Sequence, residues 1–361
     1  IEDKVIYGGV NGTRQAILAL RELRNMLGGE KDGNVSVKWD GAPAVFAGID
    51  PSDGQFFVAK KGIFNKNPKV YKSAADVDAD TSGDLSTKLK EALKYLPALG
   101  IKGVVQGDFL FSKSDVKKKK IKGQSYVTFH PNTIMYAVPT GSEAAKDITS
   151  SQMGIVWHTA YTGKTFETMR ATYGVDVSKF KKSRAVWSQD AMLRDMTSLT
   201  MTKKDTELVD SYLSQAGKIF NQISGTTLRQ LEANQKLAQM IETYNNSFVR
   251  KGAIIGNTAT HVNGLIRDIQ NRFGKEAAKR KTPKGKSAQF AKRDEVLKFF
   301  SPANKKSLKL MFDLQKLIVL GKLKLINILN RLSNVDTFVK TRTGYKTTGP
   351  EGYVAIDRLG G

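Results

Sequence analysis

The spacing of apolar residues changes twice along this chain, and the order of those changes limits its fold more than any single motif does. Up to about residue 163, apolar residues fall in short strand-like runs separated by turn residues. From 164 to 333 they recur mainly at helical spacing, and after 334 strand signals return. The expected class is α+β. A mixed-sheet domain covers 1–163, a basic helical insertion covers 164–333, and strands of the first domain resume over 334–361.

In the first part, Asn11-Gly12-Thr13 opens a helix. Its Ile17, Leu18, Leu20, Leu23 and Leu27 keep helical spacing, and Gly28-Gly29 ends it. Strands are expected over 35–39, 43–49 and 55–60, the last two joined by the turn Asp50-Pro51-Ser52-Asp53-Gly54. A helix over 85–99 precedes strands at 101–111, 125–130, 133–138 and 154–161. Between them, 113–122 holds six lysines and one aspartate and is expected to be a basic hairpin tip. Farther on, 208–224, 227–248, 253–273 and 308–332 are expected to be helices, and 337–341 and 352–356 strands.

Composition excludes several classes of function. Without cysteine there is no disulfide framework, thiolate metal site or cysteine nucleophile. His130, His158 and His261 are too far apart for a metal-ligand motif, and they fit surface or core positions. The apolar stretch 317–329 is short and broken by Lys322 and Lys324, so no membrane span is expected. No apolar segment near the N-terminus suggests a signal peptide. The net charge of +24 favours a polyanionic partner, most often nucleic acid, although an acidic protein surface or a heparin-like chain fits the same charge. The stretch 272–309 concentrates it, with thirteen Lys or Arg against three acids, a net of +10. It fits either a solvated loop or a phosphate-binding arm.

Lys38-Trp39-Asp40-Gly41 lies between the first two strands. A lysine held there on rigid backbone, beside an acid and a glycine that admits a ligand closely, can act as a nucleophile. Four further elements follow in order: Ala59-Lys60-Lys61-Gly62, Gln106-Gly107-Asp108, Tyr136 within a strand, and Glu351-Gly352 near the end. Taken singly, Lys60 and Lys61 fit surface charges, Asp108 a turn cap, Tyr136 a core aromatic and Glu351-Gly352 a turn.

In this order the elements resemble the covalent nucleotidyltransferase superfamily, which includes ATP-dependent DNA ligases, RNA ligases and mRNA capping enzymes. Lys-x-Asp-Gly is similar to its motif I, Ala59–Gly62 to motif Ia, Gly107-Asp108 to motif III, Tyr136 to the motif IIIa aromatic and Glu351-Gly352 to motif IV. The resemblance covers about 30–140 and 336–361 and leaves the helical middle unmatched. It implies an ATP-grasp-like ligase sheet domain interrupted by a mainly α-helical insertion. It also implies that Lys38, in a catalytic element with Asp40, attacks the α-phosphate of ATP to form lysyl-AMP, which then passes to a nucleic acid 5′-phosphate end. On this resemblance Lys61 or Lys60 contacts phosphate, and Asp108 binds ribose or lies by the metal. Tyr136 stacks on adenine, and Glu351 helps hold Mg²⁺. Lys117, Lys118, Lys119 and Lys120, with Lys279, Arg280, Lys281, Lys284 and Lys286, are the expected contacts to DNA or RNA backbone.

Two departures shape the alternative. Asp108 stands where the family usually has glutamate, and after Glu351 the only cation is Arg358, where the family's motif V carries a lysine strand. The chain also begins at Ile1 rather than Met. The alternative is therefore a processed, catalytically inactive nucleic-acid-binding protein on a ligase-like scaffold. More narrowly, the chain resembles a ligase-like protein of a large tailed bacteriophage. That implies the infected host's cytoplasm or the virion interior, with capsid or other virion proteins as further partners.

Overall fold

In the computed structural model, which describes residues 1–29, 34–193, 201–250, 253–332, 335–341 and 344–356, the chain opens with helices α1 (Lys4–Tyr7) and α2 (Gly9–Leu27). Arg358, the cation noted after Glu351, lies outside the described residues. Strands β1 (Asn34–Lys38), β2 (Ala44–Ile49) and β3 (Phe56–Ala59) come next, then α3 (Ala74–Asp80), α4 (Gly83–Tyr95) and β4 (Val104–Ser112). After these come β5 (Lys117–Ile121), β6 (Gln124–Phe129), β7 (Met135–Pro139), α5 (Glu143–Ser150), β8 (Met153–Thr162), β9 (Arg170–Tyr173) and β10 (Val186–Asp190). The helical run is α6 (Lys203–Phe220), α7 (Gly225–Ala233), α8 (Gln235–Val249), α9 (Thr258–Ala278), α10 (Pro283–Leu297) and α11 (Pro302–Leu329). Strands β11 (Asp336–Thr341), β12 (Gly344–Thr347) and β13 (Gly352–Ile356) follow. No helix among the described residues is long and apolar enough to cross a membrane.

The chain is mixed α and β with several sheets, and it divides into two units, 1–31 with 199–328 and 32–198 with 329–361. This division differs from the one expected at 163. Residues 164–198 belong with the sheet, because β9 pairs antiparallel with β8 and β10 pairs parallel with it, Val186 opposite Met153. Residues 1–31 belong with the helices, because the buried stripe of Ala16, Ile17, Leu20 and Leu27 lets α2 pack on α6 and α7. Helical spacing shows that a face is apolar but not which neighbour covers it.

Within the helical unit two expected elements change. The helix expected over 227–248 is two, because Asn234 leaves helical geometry and its side chain accepts the N–H of Leu237 to cap α8. The basic stretch is no loop. Thr282 caps α10 by accepting the N–H of Gly285, Pro283 sits in the first turn, and α10 packs back on α9.

In the sheet unit, strands run in the order β10-β8-β4-β2-β3, with β9 also on β8. One face carries Val45, Ala47, Val58, Ile155 and Trp157 against Leu89, Ala92 and Val77 of α4 and α3. The other face packs through Leu110, Phe111 and Val156 on Val127, Phe129, Tyr136 and Val138 of a second sheet, β12-β11-β7-β6-β5. Alternate residues of that second sheet, Tyr126, Met135, Ala137 and Phe338, form their own small core. Its two edge strands meet through side chains, with Lys119 Nζ donating to the Tyr345 hydroxyl at 2.8 Å. The strands after the helical segment enter this unit twice, β11 on β7 and β13 on β1.

Candidate functional site

Lys38 ends a strand that is paired along both sides. β13 runs antiparallel to β1 with Gly352 opposite Lys38, and on the other side the N–H groups of Val37 and Leu193 donate to Ala191 and Val35 at 2.8 Å. The chain then crosses to β2 over the face of β4, where the N–H of Ala42 donates to Phe109 O and that of Phe109 to Pro43 O, each at 2.9 Å. Gly41 is required by this crossing. A Cβ there would stand 2.5 Å from Asp108 Cβ and 3.1 Å from Phe109 O. The glycine admits a neighbouring strand, not the ligand expected from sequence.

Asp40 is buried, and both oxygens of its carboxylate accept hydrogen bonds. Oδ1 accepts from Asn132 Nδ2 at 2.8 Å, and Oδ2 accepts the N–H groups of Thr133 and Ile134 at 2.6 and 2.7 Å. Its own N–H donates to the Tyr136 hydroxyl at 2.7 Å. Asp40 therefore ties the segment that carries the lysine to the β6–β7 loop, with both oxygens engaged in that tie.

Tyr136 is buried with both faces covered. Trp39 stacks on it at 4.8 Å and Phe129 at 5.4 Å between ring centroids. Burial pushes its hydroxyl well above the ordinary phenol range, against the N–H bond from Asp40. The negative charges of Asp40, Glu351 and Asp108 act in the same direction as burial. Tyr136 is a core ring here, so it is not open to a base.

Lys38 Nζ donates to Glu351 Oε1 at 2.5 Å, and both side chains are exposed. The Lys38 ammonium is thus held by a carboxylate at the surface rather than shielded from water. Glu351 is fixed by the start of β13, whose Tyr353 hydroxyl donates to Asn330 Oδ1 at 2.6 Å. Burial pushes that hydroxyl up to about 12.

Beside the pair lies a cavity of about 160 Å³ whose walls include Lys38, Trp39, Asp108, His158 and Tyr173. Asp108 Oδ2 stands 3.7 Å from His158 Nε2. The β4–β8 register slips between Gln106 and Gly107, passing from Thr159 to Trp157 and so skipping His158. Trp39 Nε1 is buried without an acceptor among the described residues. Among those residues no group of three or more His, Cys, Asp or Glu is placed to hold a metal ion. His158, Trp39 and Tyr173 were not candidates from sequence. A bulge leaves no compositional mark, and Tyr173 falls in a stretch expected to be helical.

The other expected residues lie elsewhere. Lys60 Nζ is 2.9 Å from Asp80 Oδ2, which holds it charged above the usual lysine range, and Asp80 also accepts from Lys69 and from the Tyr71 hydroxyl. Lys61, itself exposed, opens a single turn after β3 that is anchored by the buried Ile63. Neither lines the cavity. Lys117 to Lys120 form the edge strand β5 rather than a hairpin tip. The tip is Lys122-Gly123, both at positive φ (48° and 87°), as a two-residue turn between twisted strands requires. Lys279, Arg280, Lys281, Lys284 and Lys286 lie exposed at the α9–α10 turn and the start of α10.

A family described as "Family of unknown function (DUF6267)" matches residues 1–360. No curated protein and no solved structure matches the chain.

Proposed function

The chain belongs to the DUF6267 family, whose function is unknown, and we propose for it a lysine-centred nucleotidyl-transfer site acting on nucleic acid ends. One observation carries this: Lys38 and Glu351, 313 residues apart in sequence, meet at 2.5 Å beside a cavity that also holds Asp108. The β1–β13 pairing sets Gly352 opposite Lys38 and so delivers Glu351 to the amine. The arrangement supports a nucleophile with a carboxylate placed to orient it, at the mouth of a cavity rather than on a flat surface.

The lining fits a phosphate-bearing ligand. An exposed ammonium stands at the cavity, and the buried Trp39 N–H lacks an acceptor. In the proposed step the Lys38 ammonium gives up a proton to solvent, and its nitrogen forms a bond to the α-phosphorus of ATP as the bond to the bridging oxygen breaks. Pyrophosphate leaves, and the nitrogen loses a second proton to solvent to give the phosphoramidate. Glu351 orients Nζ, and the Asp40 bonds hold the turn that carries it. Asp108 and Glu351 are the carboxylates that would hold a Mg²⁺ arriving on the nucleotide. Such an ion usually takes one or two protein carboxylates plus phosphate oxygens, and it neutralises phosphate charge.

Incubation with α-labelled ATP and Mg²⁺ tests the proposal. Covalent label is expected on the wild type and is lost in Lys38→Ala. Absence of label on the wild-type protein would sink it. A second reading, nucleic-acid binding without transfer, is supported by the net charge of +24 and by the exposed lysines of β5. It is the outcome in which backbone binding persists without label, and a phage virion is then the proposed setting.

A further inference from the structure

We infer that the exposed ring of Tyr173 is the platform for the nucleotide base, in the role that resemblance gives to Tyr136. The inference rests on Lys38 as the nucleotide-accepting amine. Tyr136 cannot serve without dismantling the core, since it is 1% exposed, its two faces lie against Trp39 and Phe129, and its hydroxyl is bonded to Asp40. The cavity beside Lys38 is about 160 Å³. Ligand-sized pockets usually run to about 300–1,000 Å³, so a phosphate group fits inside while a base must lie on the rim.

Tyr173 occupies that rim. It lines the same cavity as Lys38, Asp108 and His158, yet 60% of it is exposed. Its backbone is fixed. Tyr173 lies opposite Thr159 in the β8–β9 pairing, and the following N–H, that of Gly174, donates to His158 O at 2.7 Å. A solvent-facing ring on a paired strand, at the same cavity as a cation, suits a base whose phosphates turn toward the amine. Base–aromatic stacking is worth about 1–3 kcal/mol, or roughly 5- to 150-fold in affinity. Every base has a π face, so the ring supplies affinity and little base identity.

Equilibrium binding of ADP, followed by calorimetry without turnover, is the test. Tyr173→Ala should weaken ADP binding at least about five-fold, Tyr173→Phe should bind like the wild type, and GDP should be affected as ADP is. Lys38→Ala should lose covalent label while Tyr173→Phe keeps it. Unchanged ADP affinity in Tyr173→Ala, with the wild type still labelled, overturns the platform and leaves the lysine proposal standing. Weaker binding of a single-stranded oligonucleotide with unchanged ADP binding also overturns it, assigning the ring to the nucleic acid strand. A wild type that neither binds ADP nor takes label overturns both.

Discussion

The Tyr136 hydroxyl accepts the backbone N–H of Asp40 at 2.7 Å, from the strand that follows the loop Asp40 itself binds. Turn and loop therefore hold each other by bonds running in both directions. Tyr136→Phe removes only the acceptor and strands a buried N–H, which costs about 1–3 kcal/mol. Asp40→Ala strands the N–H groups of Thr133 and Ile134 together and should cost more. Urea unfolding of both variants checks this, and a Tyr136→Phe midpoint equal to the wild type would show that the bond contributes nothing.

Gly41→Ala is expected to destabilise by about 1–3 kcal/mol, the usual effect of overpacking, because the added carbon meets Asp108 Cβ at 2.5 Å. It should also displace Lys38 and reduce labelling. Gly62→Ala is the control, since a Cβ there meets only Asn65 Nδ2 at 3.5 Å. Equal thermal midpoints for the two variants would contradict the close crossing.

These two residues also mark how far the sequence could be read. Glycine and aspartate stood out as part of a four-residue element, but their roles came from β4 and the β6–β7 loop, which no local pattern connects to that turn. Lys38 and Glu351 lie in separate sequence elements, and their ion pair depends on β1–β13 pairing across the whole helical segment. Helical and strand periodicity survive in sequence because they are local. The register slip at His158, the doubled stacking on Tyr136 and the partner of α2 are set by distant packing, so they had no local signature. Lys60 shows the converse, since a motif match placed it at a nucleotide while the fold ties it to Asp80.

Two groups give opposite halves of the acid response. Burial pushes the His261 imidazole from 6.5 down to about 4. The unfolded chain therefore takes a proton first, and stability falls as pH drops from 6.5 toward 4, by at most about 1.4 kcal/mol per pH unit. His261→Gln should flatten that decline between pH 6.5 and 5, as seen in thermal midpoints. A wild-type slope retained by the variant would remove His261 from the account.

Asp80 acts lower. Hydrogen bonds from Lys69, Tyr71 and Lys60 hold its carboxyl well below the ordinary 3.8. Its contribution is present above that value and is lost as pH falls beneath it. Asp80→Asn should therefore be less stable than wild type at pH 6, with the gap narrowing below pH 4. A gap that stays constant from pH 6 to pH 3 would mean the network is not titrating.

Lys117, Lys118 and Lys120 lie exposed on the edge strand β5, with no acid partner among the described residues. Edge lysines can serve only to block strand addition between molecules, in which case replacing them promotes aggregation and leaves nucleic-acid affinity alone. If they contact phosphates, each releases counterions. Changing all three to Gln then lowers the slope of log affinity against log salt by about 2.7 on duplex DNA. The matched variant Lys281, Lys284 and Lys286→Gln, at the start of α10, carries the same charge change on the helical unit. A slope that drops only in the second variant assigns the phosphate track to the α9–α10 turn, and equal drops make both units part of it. An unchanged slope in both variants means that the charge of +24 reflects something other than backbone contact at these two places.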